Sequence, residues 1–163
     1  MQTAAAAGSV NVVRFLLEDN AAADEVTPRR SSPLASAIYG RAQKNVATVA
    51  VMLLDAGADP NVDARHNGGP VLHRAVANGD IDTTRLLLDR GADPNAQDPV
   101  GKTPIHHAVA KNQKLVKLLL AHSCDTTIQS NAGETPMDTA RRLKKKGVIA
   151  ILTDLGRERR RMI

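Results

Sequence analysis

The sequence predicts an all-α protein, a solenoid of about four full helix-turn-helix repeats with an N-terminal half repeat ahead of them. Three observations predict it. A short string recurs as Ser32-Pro33-Leu34-Ala35-Ser36-Ala37, Pro70-Val71-Leu72-His73-Arg74-Ala75, Thr103-Pro104-Ile105-His106-His107-Ala108 and Thr135-Pro136-Met137-Asp138-Thr139-Ala140, at intervals of 38, 33 and 32 residues. A second string keeps step with the first, as Leu53-Leu54-Asp55-Ala56-Gly57-Ala58-Asp59-Pro60-Asn61 and Leu87-Leu88-Asp89-Arg90-Gly91-Ala92-Asp93-Pro94-Asn95, and weakens at Leu119-Leu120-Ala121-His122-Ser123-Cys124-Asp125. A period near 33 means stacked units, each burying its apolar face only against its neighbours. The third observation is composition. The 163 residues are 42% hydrophobic, with Phe15 and Tyr39 the only aromatics and no Trp. Such a core packs aliphatic side chains against small residues, which suits helices in a stack better than a ring-walled ligand cavity.

Each element of the unit has a cause. Thr103 is a good helix N-cap, and Pro104 fits the first helical position, where its missing N–H costs nothing. Thr135 and Asp138 offer a variant of the capping box. Ala75, Ala108 and Ala140 let neighbouring helices approach closely. The second helix is the leucine run, such as Leu86-Leu87-Leu88. Gly57 and Gly91 end it in a left-handed conformation, and Pro60 and Pro94 forbid its resumption. Asp98-Pro99-Val100-Gly101-Lys102 is turn chemistry leading into the next cap. The predicted boundaries are a half repeat over 1–26, repeats over about 27–64, 65–97, 98–129 and 130–156, and a basic tail over 157–163. Ala37 to Gly57 spans 20 residues, against 16 from Ala75 to Gly91, so the first full unit carries about four extra residues around Gly40–Asn45. Insertions in a repeat collect on one face, often the binding face, although a tolerated surface loop reads the same way.

Gly101-Lys102-Thr103-Pro104-Ile105-His106-His107-Ala108 and Gly91-Ala92-Asp93-Pro94-Asn95 resemble the ankyrin repeat, in a register that covers almost the whole chain. The likeness is weaker in the first full unit, where Ala35 and Arg30 replace the usual His and Gly. The stretch Gly8–Leu17 resembles the family's second helix, with its own Thr-Pro start falling before residue 1. That pattern is expected of a piece of a longer protein or of a shortened N-terminal cap, the former preferred. The resemblance implies that His73 and His106 are structural bridges to cap and loops.

Several strings imitate chemical motifs. Gly101-Lys102-Thr103 has Ala96 where a phosphate loop needs glycine, and a helix stop where it needs a strand. His106 and His107 are adjacent on a helix, about 100° apart, and cannot share one metal ion. Cys124 aligns with Ala58 and Ala92 and is expected to be a buried thiol. Asp59 and Asp93 are read as loop residues. The expectation is no enzyme, no cofactor and no metal. A lone cysteine, no basic leader and no 18-residue apolar run point to the cytoplasm or nucleus, with no membrane span.

The net charge of +5 is unevenly placed. Residues 1–140 hold 13 Lys/Arg against 15 Asp/Glu, and residues 141–163 hold 9 against 2. A polar outer face on the last repeat explains the basic end, a nuclear-import or acidic-partner site is an alternative, and no aromatic among the charges supports base stacking.

The resemblance implies protein binding without catalysis, in a concave groove formed by the turn tips and the ends of first helices. On matching positions the tips supply Arg29, Ser31, Asn67, Gly69, Pro99, Val100, Lys102, Asn131 and Glu134. The helix ends supply Tyr39, Arg41, Asn78, Lys111 and Arg142, with Tyr39 and Arg41 the expected anchor. The basic residues among them point to a protein or peptide partner with acidic character, held by a monomer. Two rival roles are a regulatory or substrate-docking domain of a larger enzyme or channel, and a nuclear regulator whose basic C-terminus contacts nucleic acid or acidic protein.

Overall fold

The computed structural model describes residues 1–25, 32–40, 45–63 and 69–161, with side chains as far as Gly156. Among the described residues the chain forms α1 (Gln2–Ala6), α2 (Val10–Glu18), α3 (Pro33–Tyr39), α4 (Val46–Asp55), α5 (Val71–Asn78), α6 (Ile81–Asp89), α7 (Pro104–Lys111), α8 (Gln113–Ala121), α9 (Pro136–Arg142) and α10 (Lys146–Arg161). The odd-numbered helices pack on one another in sequence and form one row. The even-numbered helices form a second row, and each pair packs together across the two. The all-α solenoid expected from the period is what the chain builds.

Local chemistry sets the helix ends. Ser32 accepts from the Ala35 amide at 3.1 Å, with Pro33 at the first helical position. Thr135 and Asp138 make the full capping box. The Asp138 amide donates to the Thr135 hydroxyl at 3.2 Å, and the Thr135 amide donates to the Asp138 carboxylate at 3.0 Å. Asp80 and Asn112 cap the second helices α6 and α8 through Thr83 and Leu115. Gly57 (φ +90°) and Gly91 (φ +87°) end α4 and α6 in the left-handed region, as the sequence predicts. At the equivalent place after α8 stands Ser123 at φ +59°, a conformation that L side chains resist.

The core lies between the rows. Leu53, Leu87 and Leu119 occupy the same position in successive units and are fully buried. Ala75, Ala108 and Ala140 are buried opposite them and keep the first helices close. Cys124 is buried like Ala58 and Ala92. Two boundaries differ from the sequence reading. The N-terminal half repeat already contains a short first helix, α1, lying against α3. The basic run 157–161 continues α10 as helix instead of forming a separate tail. Residues 41–44 of the extra segment in the first full unit lie outside the described residues.

Candidate partner-binding face

Two ladders of hydrogen bonds run along the edge where one unit hands over to the next. The Asp-Pro-Asn segment makes the first. Asp59 folds its own loop by accepting from the Asn61 amide at 2.8 Å. The Asn61 carboxamide then accepts from the Asp93 amide at 2.8 Å and donates to the Gly91 carbonyl at 3.2 Å, one unit on. Asn95 repeats the step, accepting from the Asp125 amide at 2.6 Å. In the next unit Thr127 stands where Asn61 and Asn95 stood. Among the described residues it bonds only back to Asp125, at 2.8 Å from its amide and 2.7 Å from its hydroxyl.

Histidine makes the second ladder. His106 Nδ1 accepts from the Thr103 amide at 3.1 Å and lies 2.9 Å from the Thr103 hydroxyl. Nε2 therefore carries the proton and donates to the Glu134 carbonyl at 3.0 Å, in the following turn. His73 donates likewise to the Lys102 carbonyl at 2.9 Å. Among the described residues its Nδ1 meets no donor, because the cap residue is Pro70 and has no N–H. Burial is the main reason both rings titrate below the ordinary imidazole value; the carbonyls they bond oppose the shift.

The turn over 98–102 is built on one carboxylate. Asp98 accepts from the Val100 amide at 3.0 Å, from the Lys102 amide at 2.8 Å and from the His107 ring at 2.8 Å. Burial alone would raise this carboxyl, but the His107 bond and the two amides outweigh it and hold it below the usual range. The next turn is tied to this one, with the Asn131 amide donating to the Val100 carbonyl at 3.1 Å and its carboxamide to the Pro99 carbonyl at 3.2 Å. Gly101, at φ +75°, has Asn131 where a Cβ would go, so this close approach requires glycine.

On the first-helix row, the Tyr39 hydroxyl lies 3.4 Å from the Gly69 carbonyl, and the Arg74 guanidinium sits 5.1 Å over the Tyr39 ring. Arg142 reaches back along α9 to Glu134, with bonds of 2.9 and 3.2 Å. Helical Cβ atoms point toward the N-terminus, which lets a residue at the end of a helix reach its own turn.

Comparison with known families decides what this architecture is. A family model for ankyrin repeats (3 copies) matches residues 72–159, and one for ankyrin repeats (many copies) matches residues 34–88. The chain belongs to the ankyrin-repeat family. Comparison with curated proteins gives no match. Ankyrin repeats are in general protein–protein interaction modules, and their domains are typically non-catalytic. No helix among the described residues is long and apolar enough to cross a membrane.

Of the site residues expected from the ankyrin resemblance, Pro99, Val100 and Asn131 are exposed at the turn tips, and Lys102 is half-buried beside them. Asn78, Lys111 and Arg142 end their first helices. Glu134 and Arg142 pair with each other. Gly69 needs correcting as a contact residue: it is buried at φ +70°, and a Cβ there would lie 2.8 Å from Asp98. Its role is to let two turns approach. Tyr39 is a half-buried ring already engaged by Gly69 and Arg74, not a free anchor. Lys111 stands apart from the tips, since the eight residues of α7 carry it about 12 Å along the axis. Arg29, Ser31, Arg41 and Asn67 lie outside the described residues. The sequence reading missed Arg74 and Asp98. Arg74 follows the motif histidine, in a column where His107 and Thr139 also stand, and that variable column was the available signal.

Proposed function

We propose that this ankyrin-repeat chain is a non-catalytic scaffold that holds a segment of another protein along its turn tips and first helices. The observation that carries this reading is the turn pair 98–102 and 130–134. Its backbone is tied amide to carbonyl across the units, yet Pro99, Val100 and Asn131 project outward, with Val100 55% exposed. A fixed frame with exposed side chains binds with little ordering cost, so specificity rests on those side chains. Arg74, stacked on Tyr39, extends the same row toward the second unit. Lys102 gives the face some preference for acidic segments. The protein works as a monomer, in cytoplasm or nucleus.

The test is capture of partners from native lysate with nuclease present, comparing the intact chain with a Val100→Glu, Lys102→Glu variant of equal melting temperature. A protein retained by the first and lost by the second supports this face. Equal retention by both would move the site elsewhere on the chain.

A further inference from the structure

At the opposite ends of the first helices, away from the turn tips, lies a groove of about 800 Å³. Lys111 and Lys114 form one wall, where α7 passes into α8. Lys144, Lys145 and Lys146 form the other, where α9 passes into α10. Partly exposed Ile81, with buried Val109 and Val148, gives the groove an apolar floor. Among the described residues that line it there is no carboxylate.

Five like charges around one groove repel one another and lower stability unless something offsets them. The backbone adds a second cost at the same place. The turns α1–α2 and α5–α6 close through left-handed Gly8 (φ +64°) and Gly79 (φ +80°), with their amides bonded to the carbonyls of Ala5 and Val76. The turn α9–α10 closes in the same way, its amide bonded to the Arg141 carbonyl, but the left-handed residue is Lys144 (φ +55°). A lysine in a glycine's conformation, at the mouth of a lysine-walled groove, is strain kept at a candidate functional site.

We propose that this groove is a second docking surface, distinct from the turn tips, and that it takes an acidic peptide segment carrying an apolar side chain among its carboxylates. Charge complementarity selects the acidic chain, and Ile81 at the floor selects the apolar side chain. The absence of an aromatic among these residues argues against nucleic acid, which would stack its bases.

The test is fluorescence anisotropy of a labelled peptide of Asp and Glu around a central leucine, titrated with the full chain. Binding is expected to weaken by about tenfold in Lys114→Glu, Lys145→Glu. It is expected to stay nearly unchanged in Arg14→Glu, Lys117→Glu, which carries the same change of net charge away from the groove. Lys144→Gly is expected to melt at a higher temperature and yet bind the peptide more weakly, a combination that loss of fold cannot produce. Equal weakening by the two charge reversals would mean attraction to net charge alone and would overturn the proposal. So would unchanged affinity in Lys144→Gly, or displacement of the peptide by tripolyphosphate or single-stranded DNA at lower concentration than by unlabelled peptide. Failure of the Val100 and Lys102 capture experiment leaves this groove untouched, since neither residue lines it.

Discussion

The joint between the second and third full units and the joint between the third and fourth use the same histidine and are not equally made. His106 is bonded at both nitrogens, to Thr103 behind it and Glu134 ahead. His73 is bonded ahead, to Lys102, and among the described residues its Nδ1 finds no N–H behind it, because Pro70 has none to give. One residue at the cap, Thr103 against Pro70, makes the difference. The better-made joint underlies the turns where Val100 and Asn131 are displayed. The poorer one lies next to Tyr39, Arg74 and Gly69. A motif histidine therefore does not guarantee an equal bridge; what it bonds depends on the donor that the cap residue offers.

The largest expected effect comes from removing the better bridge. His106→Ala should destabilise the chain by about 3 kcal/mol, because it opens a cavity and leaves the Thr103 amide and Glu134 carbonyl unpaired. His73→Ala should cost about 1 kcal/mol less, since only the Lys102 carbonyl is orphaned. Urea unfolding of the two variants measures the gap, and equal losses would remove the distinction between the joints. The converse change is Pro70→Thr, which supplies both an N–H for His73 and a hydroxyl cap for α5. It should stabilise by about 1 kcal/mol, read as a shift in urea midpoint at constant slope.

How much of this was legible in the sequence follows from the same residues. Caps, glycine stops and leucine columns depend on neighbours within one unit, so Thr135, Gly91 and Leu87 could be read directly. Asn61 and Asn95 were visible only as a repeated loop. Their bonds to Asp93 and Asp125 join units some 30 residues apart, which a local pattern does not encode. The candidate face suffered most for this reason. Gly69 reads as a turn tip until Asp98 is found against it, and Tyr39 reads as free until Arg74 is found over its ring. Lys111 reads as part of the turn-tip face until Lys144–Lys146 are found across a separate groove from it.

A smaller effect sharpens the comparison from outside the histidines. Ser123→Gly relieves the left-handed residue that ends α8, beyond the better joint. It should raise stability by about 0.7 kcal/mol, seen as a modest rise in melting temperature. No gain would mean that the serine side chain makes compensating contacts.

The finest test is pH. Both bridging rings are held below the ordinary value of 6.5, chiefly by burial. As pH falls the unfolded chain takes up these protons first. Their contribution is therefore fully present above pH 6.5 and is lost as pH drops through the lower folded-state values. Protonation of His106 must displace the Thr103 amide, whereas a protonated His73 meets the Pro70 carbonyl; Asp98 favours and His107 opposes the charge on both rings. Unfolding free energy followed downward from pH 7 should thus lose more of its slope in His106→Asn than in His73→Asn. Equal slopes would mean that the cap does not set the difference.

The central claim is that the chain holds a partner on the tips and first helices of a rigid frame, and hydrogen–deuterium exchange of the chain with and without its captured partner tests it most directly. The account predicts new protection over 98–102, 130–134 and the first helices α5 and α7, with α4, α6 and α8 unchanged. Protection confined to the second-helix row would contradict it.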